Sequence, residues 1–536
     1  NIKGLFKFLI VNLAKIRYSL FDREGKVMSF IYFILALLPI IWLTVALMGL
    51  KIPTFKAAFG SLVISLVLAI FLWHSPTGYV FSAALEGILM AIWPIILVII
   101  AAVFTYNLCC ETKGMDIIKQ MITSVSNDKR ILVLLIAWCF GGFMEGMAGF
   151  GTAIAIPASM LVSLGFGPLF SCLVCLIANG TPTPFGSIGI PTNTLANLVG
   201  LQNTGLSFMT TLQLSPFMLI CPFLIVIVTG KSVKALKGVT GLTLASGLSF
   251  VIPQLIVAKF VGAELAVVVG SVCSLLVTIA LAIKKPTNPD YEIQLEKAEP
   301  IDAKKAFRAW SPFIFIFIFL LLTSALVMPI HEALARFSSQ VQIYQGKDAA
   351  TLTFSWINTP GVWIFLSAIL GGLIQKASWK TMGKVLKATI KQMSETMITM
   401  LCVLGCAKVM GYAGMIASIS SFAIAATGSF YPLFAPWIGA LGTFVTGSGT
   451  NSGVLFGAVQ LDAAKHLHVD SYWMVALNSL GVAAGKMLSP QSLAIGLSSV
   501  NAKGQDSKLL SMILPYGLVF LIAMSILAYV GTILFG

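Results

Sequence analysis

Apolar runs of about 20 residues, the length that crosses a bilayer's hydrocarbon core as a helix, recur along this chain. They fall at residues 28–50, 57–73, 85–108, 209–230, 238–260, 262–283, 312–330, 360–375, 393–412 and 509–531, and each predicts a membrane-spanning helix. Between them lie two equally apolar regions, 131–200 and 431–500, in which Gly, Pro, Asn, Ser and Thr break the pattern every few residues. Such residues unwind helices or end them, so broken or re-entrant elements are predicted there.

The two broken regions repeat each other. NGTPTPFGSIGIP begins at Asn179 and NSLGVAAGKMLSP at Asn478; Asn179 and Asn478, Gly186 and Gly485, and Pro191 and Pro490 are each 299 residues apart. Gly149-Phe150-Gly151-Thr152 recurs as Gly447-Ser448-Gly449-Thr450, Gly114-Met115 as Gly414-Met415, and Pro216 as Pro515. Five matches in order at offsets of 298 to 300 imply an internal duplication. Paired, interrupted apolar segments in two halves mark the substrate site of many secondary transporters, because broken helices turn backbone dipoles toward a ligand. The expected organisation is an N-terminal amphipathic segment (1–27), repeat one (28–230), two linking spans with a polar loop (231–311) and repeat two (312–536).

Composition agrees with an all-α polytopic membrane protein: 58% of the 536 residues are hydrophobic and 10% charged, with mean hydropathy +0.96. The formal charge of +15 does not indicate a nucleic-acid partner, since Lys and Arg concentrate in short loops at 113–130, 231–237, 284–308 and 376–391. That is the pattern of cytoplasmic loops. The stretch after Gly114 carries Asp116, Lys119, Asp128, Lys129 and Arg130, whereas its counterpart from Gly414 to Tyr431 carries no charge. Like segments then face unlike compartments, as an inverted-topology repeat requires. Lys3, Lys7, Lys15, Arg17, Arg23 and Lys26 fall on the opposite side by span counting, so residues 1–27 are read as an interfacial helix.

Candidate chemistry is sparse. Nine cysteines in or beside apolar segments form no disulfide framework, and Cys172-x-x-Cys175 reads as two small apolar residues. The four histidines match no metal-ligand spacing, and Gly485-Lys486 lacks the rest of a phosphate loop. A membrane enzyme would need a nucleophile or metal constellation, and none is visible. Two charges stand in the apolar core, Glu145 in GGFMEGMAGFGT and Lys486 in AAGKMLSPQS; such residues line cavities, pair or change protonation. Glu145 is the candidate proton carrier and Lys486 the candidate counter-charge for an anion. Lys408 and Glu395 are expected to reach toward span ends, and Glu264 to be an interfacial charge. Gly149, Gly151, Thr152, Asn179, Gly186, Ser187, Ser448, Gly449, Thr450, Asn451, Asn478, Ser489 and Gln491 complete the expected substrate site as unwound backbone and small polar groups.

FGGFMEGMAGFGTAIAIPASMLVSLGFGPLF, CLIANGTPTPFGSIGIP, FVTGSGTNSGVLFGAVQ and GKMLSPQSLAI resemble the signature regions of the lactate permease family. DIIKQMITSVSNDKR, FVGAELAVVVGSVCSLL and RAWSPF extend the likeness in order over nearly the whole chain. The resemblance implies a multi-pass transporter of the bacterial inner membrane, carrying lactate, glycolate or similar small monocarboxylates with H+, or alternatively with Na+, on an inverted-repeat scaffold with elevator-type movement. No cofactor is implied. The motif positions carried over are Glu145, Gly149 and Gly151; Asn179, Phe185, Gly186, Gly189 and Pro191; Thr446, Gly447, Ser448 and Thr450; and Gly485, Lys486, Ser489, Pro490 and Gln491. Family members commonly carry an acid where this chain has Gly449, which leaves Glu145 as the expected coupling carboxylate.

Overall fold

The computed structural model describes residues 30–283, 288–293, 301–346, 349 and 351–535; the amphipathic segment expected at 1–27 lies outside them. In chain order the helices are α1 (Phe30–Gly49), α2 (Thr54–Phe71), α3 (Thr77–Glu111), α4 (Gly114–Thr123), α5 (Lys129–Met147), α6 (Thr152–Ser163), α7 (Pro168–Gly180), α8 (Gly186–Val199), α9 (Asn203–Gly230), α10 (Thr240–Phe260), α11 (Ala263–Ala282), α12 (Ala303–Thr323), α13 (Met328–Ala335), α14 (Pro360–Ile374), α15 (Trp379–Tyr412), α16 (Met415–Thr427), α17 (Tyr431–Thr446), α18 (Gly449–Leu467), α19 (Ser471–Leu488), α20 (Pro490–Ser499) and α21 (Asp506–Phe535). Eleven helical stretches among the described residues are long and apolar enough to cross a membrane, and α7 with α8 adds a pair bent by 64°.

Two stretches depart from the sequence pattern. The span expected at 360–375 is the 15-residue helix α14, too short to count among the eleven. In 131–200, where broken elements are predicted without a count of crossings, α5 is continuous and its apolar window is wholly buried. It stops where Gly149, Phe150 and Gly151 all take positive φ, at 59°, 49° and 89°. The interruption is therefore a sharp left-handed turn at the end of a helix, which glycine makes accessible.

The duplication visible in the sequence organises the packing. The series α4 to α9 recurs as α16 to α21. Across the two copies α7 packs on α19, α8 on α18, and α6 on α20. Exchanging the copies maps this set onto itself, because α6 corresponds to α18 and α8 to α20. The contacts between the copies are thus reciprocal. Small residues permit the close approach: across the copies a Cβ at Gly180 would stand 2.7 Å from the Ala483 carbonyl oxygen, and within the second copy one at Gly481 would run into that of Pro436. The obstacle at Gly481 is backbone, which cannot rotate away. Gly481→Ala is therefore expected to cost about 1–3 kcal/mol or more of stability, measured as a lower unfolding temperature of the purified protein; an unchanged temperature would mean that α17 and α19 separate freely.

The linking helices α10 and α11 pack chiefly on the first copy. A Cβ on Gly142 would meet the Phe250 ring at 2.8 Å, and one on Gly189 the Ala263 carbonyl carbon at 2.5 Å. They thereby brace α5, which carries Glu145.

Contacts at the helix ends separate two faces. At one, Arg130 pairs with Asp128 at 2.6 Å, donates to the carbonyls of Ala235 and Lys237 at 2.8 and 3.1 Å, and lies 4.0 Å from the Tyr291 ring centroid. Three of the basic loops thus meet at the C-terminal end of α9. At the other face the N-terminal end of α9 meets the start of α19: the Tyr472 hydroxyl accepts from the Gln202 amide at 3.3 Å, and Gln213 donates to the Trp473 carbonyl at 2.9 Å. Trp473 also donates to Thr532, near the C-terminal end of α21, at 3.0 Å. The beginning of α9 and the end of its counterpart α21 therefore meet on the same face, so the two helices run in opposite directions.

On the face of α9's N-terminus, β1 (Ser338–Gln342) and β2 (Thr351–Ser355) form an antiparallel hairpin with Val341 opposite Leu352. It is fastened to the helices through main-chain groups: the Tyr344 amide donates to Glu86 at 3.3 Å, the Gln345 amide to Ser82 at 3.3 Å, and the Ser355 carbonyl accepts from Trp93 at 2.9 Å. Glu86 is itself buried and paired with Lys408 at 2.8 Å, with the Tyr412 hydroxyl at 3.0 Å. Lys408 is thus an internal ion-pair partner rather than a side chain reaching from a span end. The pairing offsets the cost of burying either charge.

Candidate functional site

A cavity of about 240 Å3 lies between the two copies. Glu145 from α5, Thr183, Gly186 and Ser187 at the first break, Thr446 to Asn451 at the second, and Lys486 and Gln491 around the third all line it, with Glu395, Thr396 and Thr399 from α15 closing one side. It is smaller than the roughly 300–1,000 Å3 of pockets that take drug-sized molecules, so its occupant is small.

Each break is built differently. Ser187, Ile188 and Gly189 have φ of 48°, 57° and 73°, a left-handed turn that costs about 1–3 kcal/mol at each non-glycine position. The Ser187 hydroxyl holds it by donating to the Ala148 carbonyl at 2.7 Å, tying the two breaks of the first copy together. In the second copy the turns are capped instead. Ser448 accepts from the Asn451 amide at 3.3 Å at the head of α18, and Ser489 from the Ser492 amide at 3.5 Å at the head of α20. The first turns of α18 and α20 present Ser448, Gly449, Thr450, Asn451 and Gln491 to the cavity. Helix N-termini carry partial positive charge and free amides, which suits an anion.

The two core charges face this space without forming an ion pair within 4.0 Å among the described residues. Lys486 Nζ donates to the Gly447 carbonyl at 2.9 Å. Gly447 has a left-handed φ of 68°, and a Cβ there would run into the Gln491 side chain, so glycine suits the turn that sets that carbonyl against the lysine. Glu145 is 4% exposed and its Oε2 has no hydrogen-bond partner. A Cβ on Gly186 would run into the other oxygen of Glu145. Gly186 thus leaves room for the carboxyl group. One cationic group held in place by backbone, two helix heads and a carboxyl oxygen without a hydrogen-bond partner thus face one small space.

Neighbouring cavities continue this one in both directions. Toward the face of the basic loops it shares Gln491 and Ile495 with a cavity of about 410 Å3 lined by Lys503 and Asp506. Toward the hairpin it shares Ile190 with a chamber of about 440 Å3. The shared walls belong to α20 and α8, the corresponding helices of the two copies.

A family model described as L-lactate permease matches residues 32–535. The chain belongs to the L-lactate permease family. This family member is 44% identical to the L-lactate permease of Streptococcus iniae, over 83% of its own length and 93% of the relative's. It is 31% identical to the glycolate permease GlcA of Escherichia coli K12, over 93% and 96% of the two chains. Among solved structures it is similar to the YdaH transporter of Alcanivorax borkumensis, with TM-score 0.47 and 16% identity over 84% of this chain and 88% of that one. It is a transporter, a multi-pass protein of the bacterial inner membrane.

Of the residues singled out in the sequence, Glu145, Gly186, Ser187, Ser448, Gly449, Thr450, Asn451, Lys486 and Gln491 come together on the central cavity. Gly149, Gly151, Thr152, Asn179, Asn478 and Ser489 stand behind it. Gly149 backs onto Ser187 and Gly151 onto Ile495, Thr152 donates to the Gly149 carbonyl at 2.8 Å, Asn179 accepts through its carbonyl from Thr183 at 2.6 Å, Asn478 packs on Gly439, and Ser489 caps α20. Sequence reasoning assigned Glu395 to a span end, whereas it lines the cavity, and missed Thr396 and Thr399. They lie on α15, outside the broken regions, and nothing in its helical pattern marks them. Asp462 and Asp470 are engaged elsewhere, Asp462 by the Ser420 hydroxyl and Asp470 as the cap of α19.

Proposed function

We propose that the protein carries lactate, glycolate or a similar small 2-hydroxy acid together with a proton, and that substrate occupies the central cavity. The observation that carries this reading is the meeting of Lys486, the heads of α18 and α20, and the unpartnered Glu145 oxygen around one small space. The monocarboxylate would lie with its carboxylate toward Lys486 and the α18 amides. Its 2-hydroxyl would fall among Thr183, Ser187, Thr450 and Gln491. A proton on Glu145 would enter with it. Repeat one (28–230) and repeat two (312–536), joined through 231–311, would form an inverted-topology pair whose broken helices α8 and α20 seal the two sides of the cavity in turn. Uptake of labelled lactate into proteoliposomes, with a proton gradient imposed in sodium-free medium, tests the function; absence of accumulation there removes the proton reading.

The topology is tested separately. Single cysteines at Ser126 and Thr427 are expected to label from opposite sides of the membrane, because Ser126 neighbours the Arg130 cluster while Phe430, three residues beyond Thr427, stacks on Tyr529 near the Trp473 end of α21 at 5.6 Å. Labelling of both from one side overturns the inverted arrangement.

A further inference from the structure

The chamber beneath the hairpin has no part in the reading above, and its lining differs in kind from the central cavity. Around about 440 Å3 stand Asn193, Thr194, Asn197, Asn203, Thr359 and the hairpin residues Thr351, Thr353 and Ser355, with Glu264 as the single charged side chain among the described lining residues. We propose that this chamber holds a hard monovalent metal cation such as sodium, bound between the Glu264 carboxylate and the neutral oxygens at the head of α14 and along α8.

Glu264 is built into place rather than left at an interface. Its Oε1 accepts from Asn193 Nδ2 at 2.9 Å and from Asn203 Nδ2 at 3.1 Å, and its Oε2 accepts from Asn203 Nδ2 at 3.1 Å. Asn203 is fixed in turn by accepting from the Ser207 hydroxyl at 2.9 Å. Gly262 leaves the space: a Cβ there would lie 2.8 Å from Oε2. The donors that reach it, the Asn193 and Asn203 amides and its own backbone N–H, are all neutral, so its negative charge is hydrogen-bonded but not balanced. No cation among the described residues forms an ion pair with it. Lys259, on the neighbouring end of α10, lies over the Phe208 and Phe260 rings at 5.5 and 5.7 Å instead.

The second observation is independent of the carboxylate. Asn193 Oδ1, Thr194 Oγ1 and Thr359 Oγ1 are buried and have no hydrogen-bond partner, although Thr194 and Thr359 are only 1% and 3% exposed. Each belongs to a residue lining this chamber. Buried oxygens without donors are costly, about 1–3 kcal/mol apiece, and a cation satisfies several at once. An oxygen-only set selects a hard ion. One negative charge among neutral oxygens balances a single positive charge, whereas calcium sites draw on several carboxylates. Glu264 in the first turn of α11 also complements that helix's dipole, but a dipole role does not account for the unpartnered oxygens on α8 and α14.

The test uses the purified full-length protein in choline-based buffer at fixed pH without substrate, with radiolabelled sodium as probe. Saturable sodium binding is expected, and Glu264→Gln should lower the affinity by at least about tenfold. Thr194→Val, which keeps the shape and removes the hydroxyl, should weaken it as well and serves alone if Glu264→Gln does not fold. No saturable binding to the unaltered protein, or unchanged affinity in the folded variants, overturns the proposal. Accumulation driven by a proton gradient in sodium-free medium reports on the Glu145 reading alone, so the two can fail separately.

Discussion

A Lys486→Met protein is expected to bind lactate about 10- to 150-fold more weakly, the equivalent of the roughly 1.5–3 kcal/mol that a hydrogen bond to a charged group is worth. Lys486 acts on the cavity in two ways. Its charge attracts the carboxylate, and its bond to the Gly447 carbonyl fixes the loop that begins α18. Methionine keeps most of the aliphatic volume and removes both effects. Calorimetric titration of lactate into the purified variant, alongside a thermal-unfolding measurement, separates binding from folding. Unchanged affinity in a well-folded variant would reassign the lysine to loop structure alone.

Glu145→Gln has a different expected signature. The amide is nearly isosteric with the protonated carboxyl, so the variant is expected to exchange labelled lactate across the membrane while losing nearly all accumulation driven by a proton gradient. The space around the carboxyl, left open by Gly186, admits the amide without a clash that the acid does not already make. Counterflow and gradient-driven uptake in the same proteoliposome preparation give the two readouts. Gradient-driven accumulation that survives the substitution would move the coupling site elsewhere.

The spans and the duplication were legible in the sequence because bilayer thickness imposes a length on each apolar run and because Gly, Pro and Asn are conspicuous inside one. The same signal picked out most of the central cavity, since broken backbone and polar side chains coincide at Ser187, Ser448 and Gln491. Glu395 was not legible in this way. It sits in the regular helix α15, and only tertiary packing brings that helix against the two breaks. The partnership of Glu86 with Lys408 was hidden for the same reason: an ion pair between distant helices leaves no periodicity. Glu264 looked like an ordinary charge at a span boundary until Asn193 and Asn203 were placed on either side of it. Residues that stand behind the cavity, such as Asn179 and Asn478, share their motifs with residues that line it, and sequence spacing does not distinguish the two roles.

The hairpin over the chamber is attached through its peptide groups, by the Tyr344 and Gln345 amides and the Ser355 carbonyl, and through the stacking of Tyr344 on Tyr412. Main-chain anchorage of this kind is indifferent to most side-chain replacements and sensitive chiefly to proline, which lacks the amide. β1 is exposed along its whole length. Replacements along the exposed strand can therefore change the surface it shows while these main-chain bonds stay as they are.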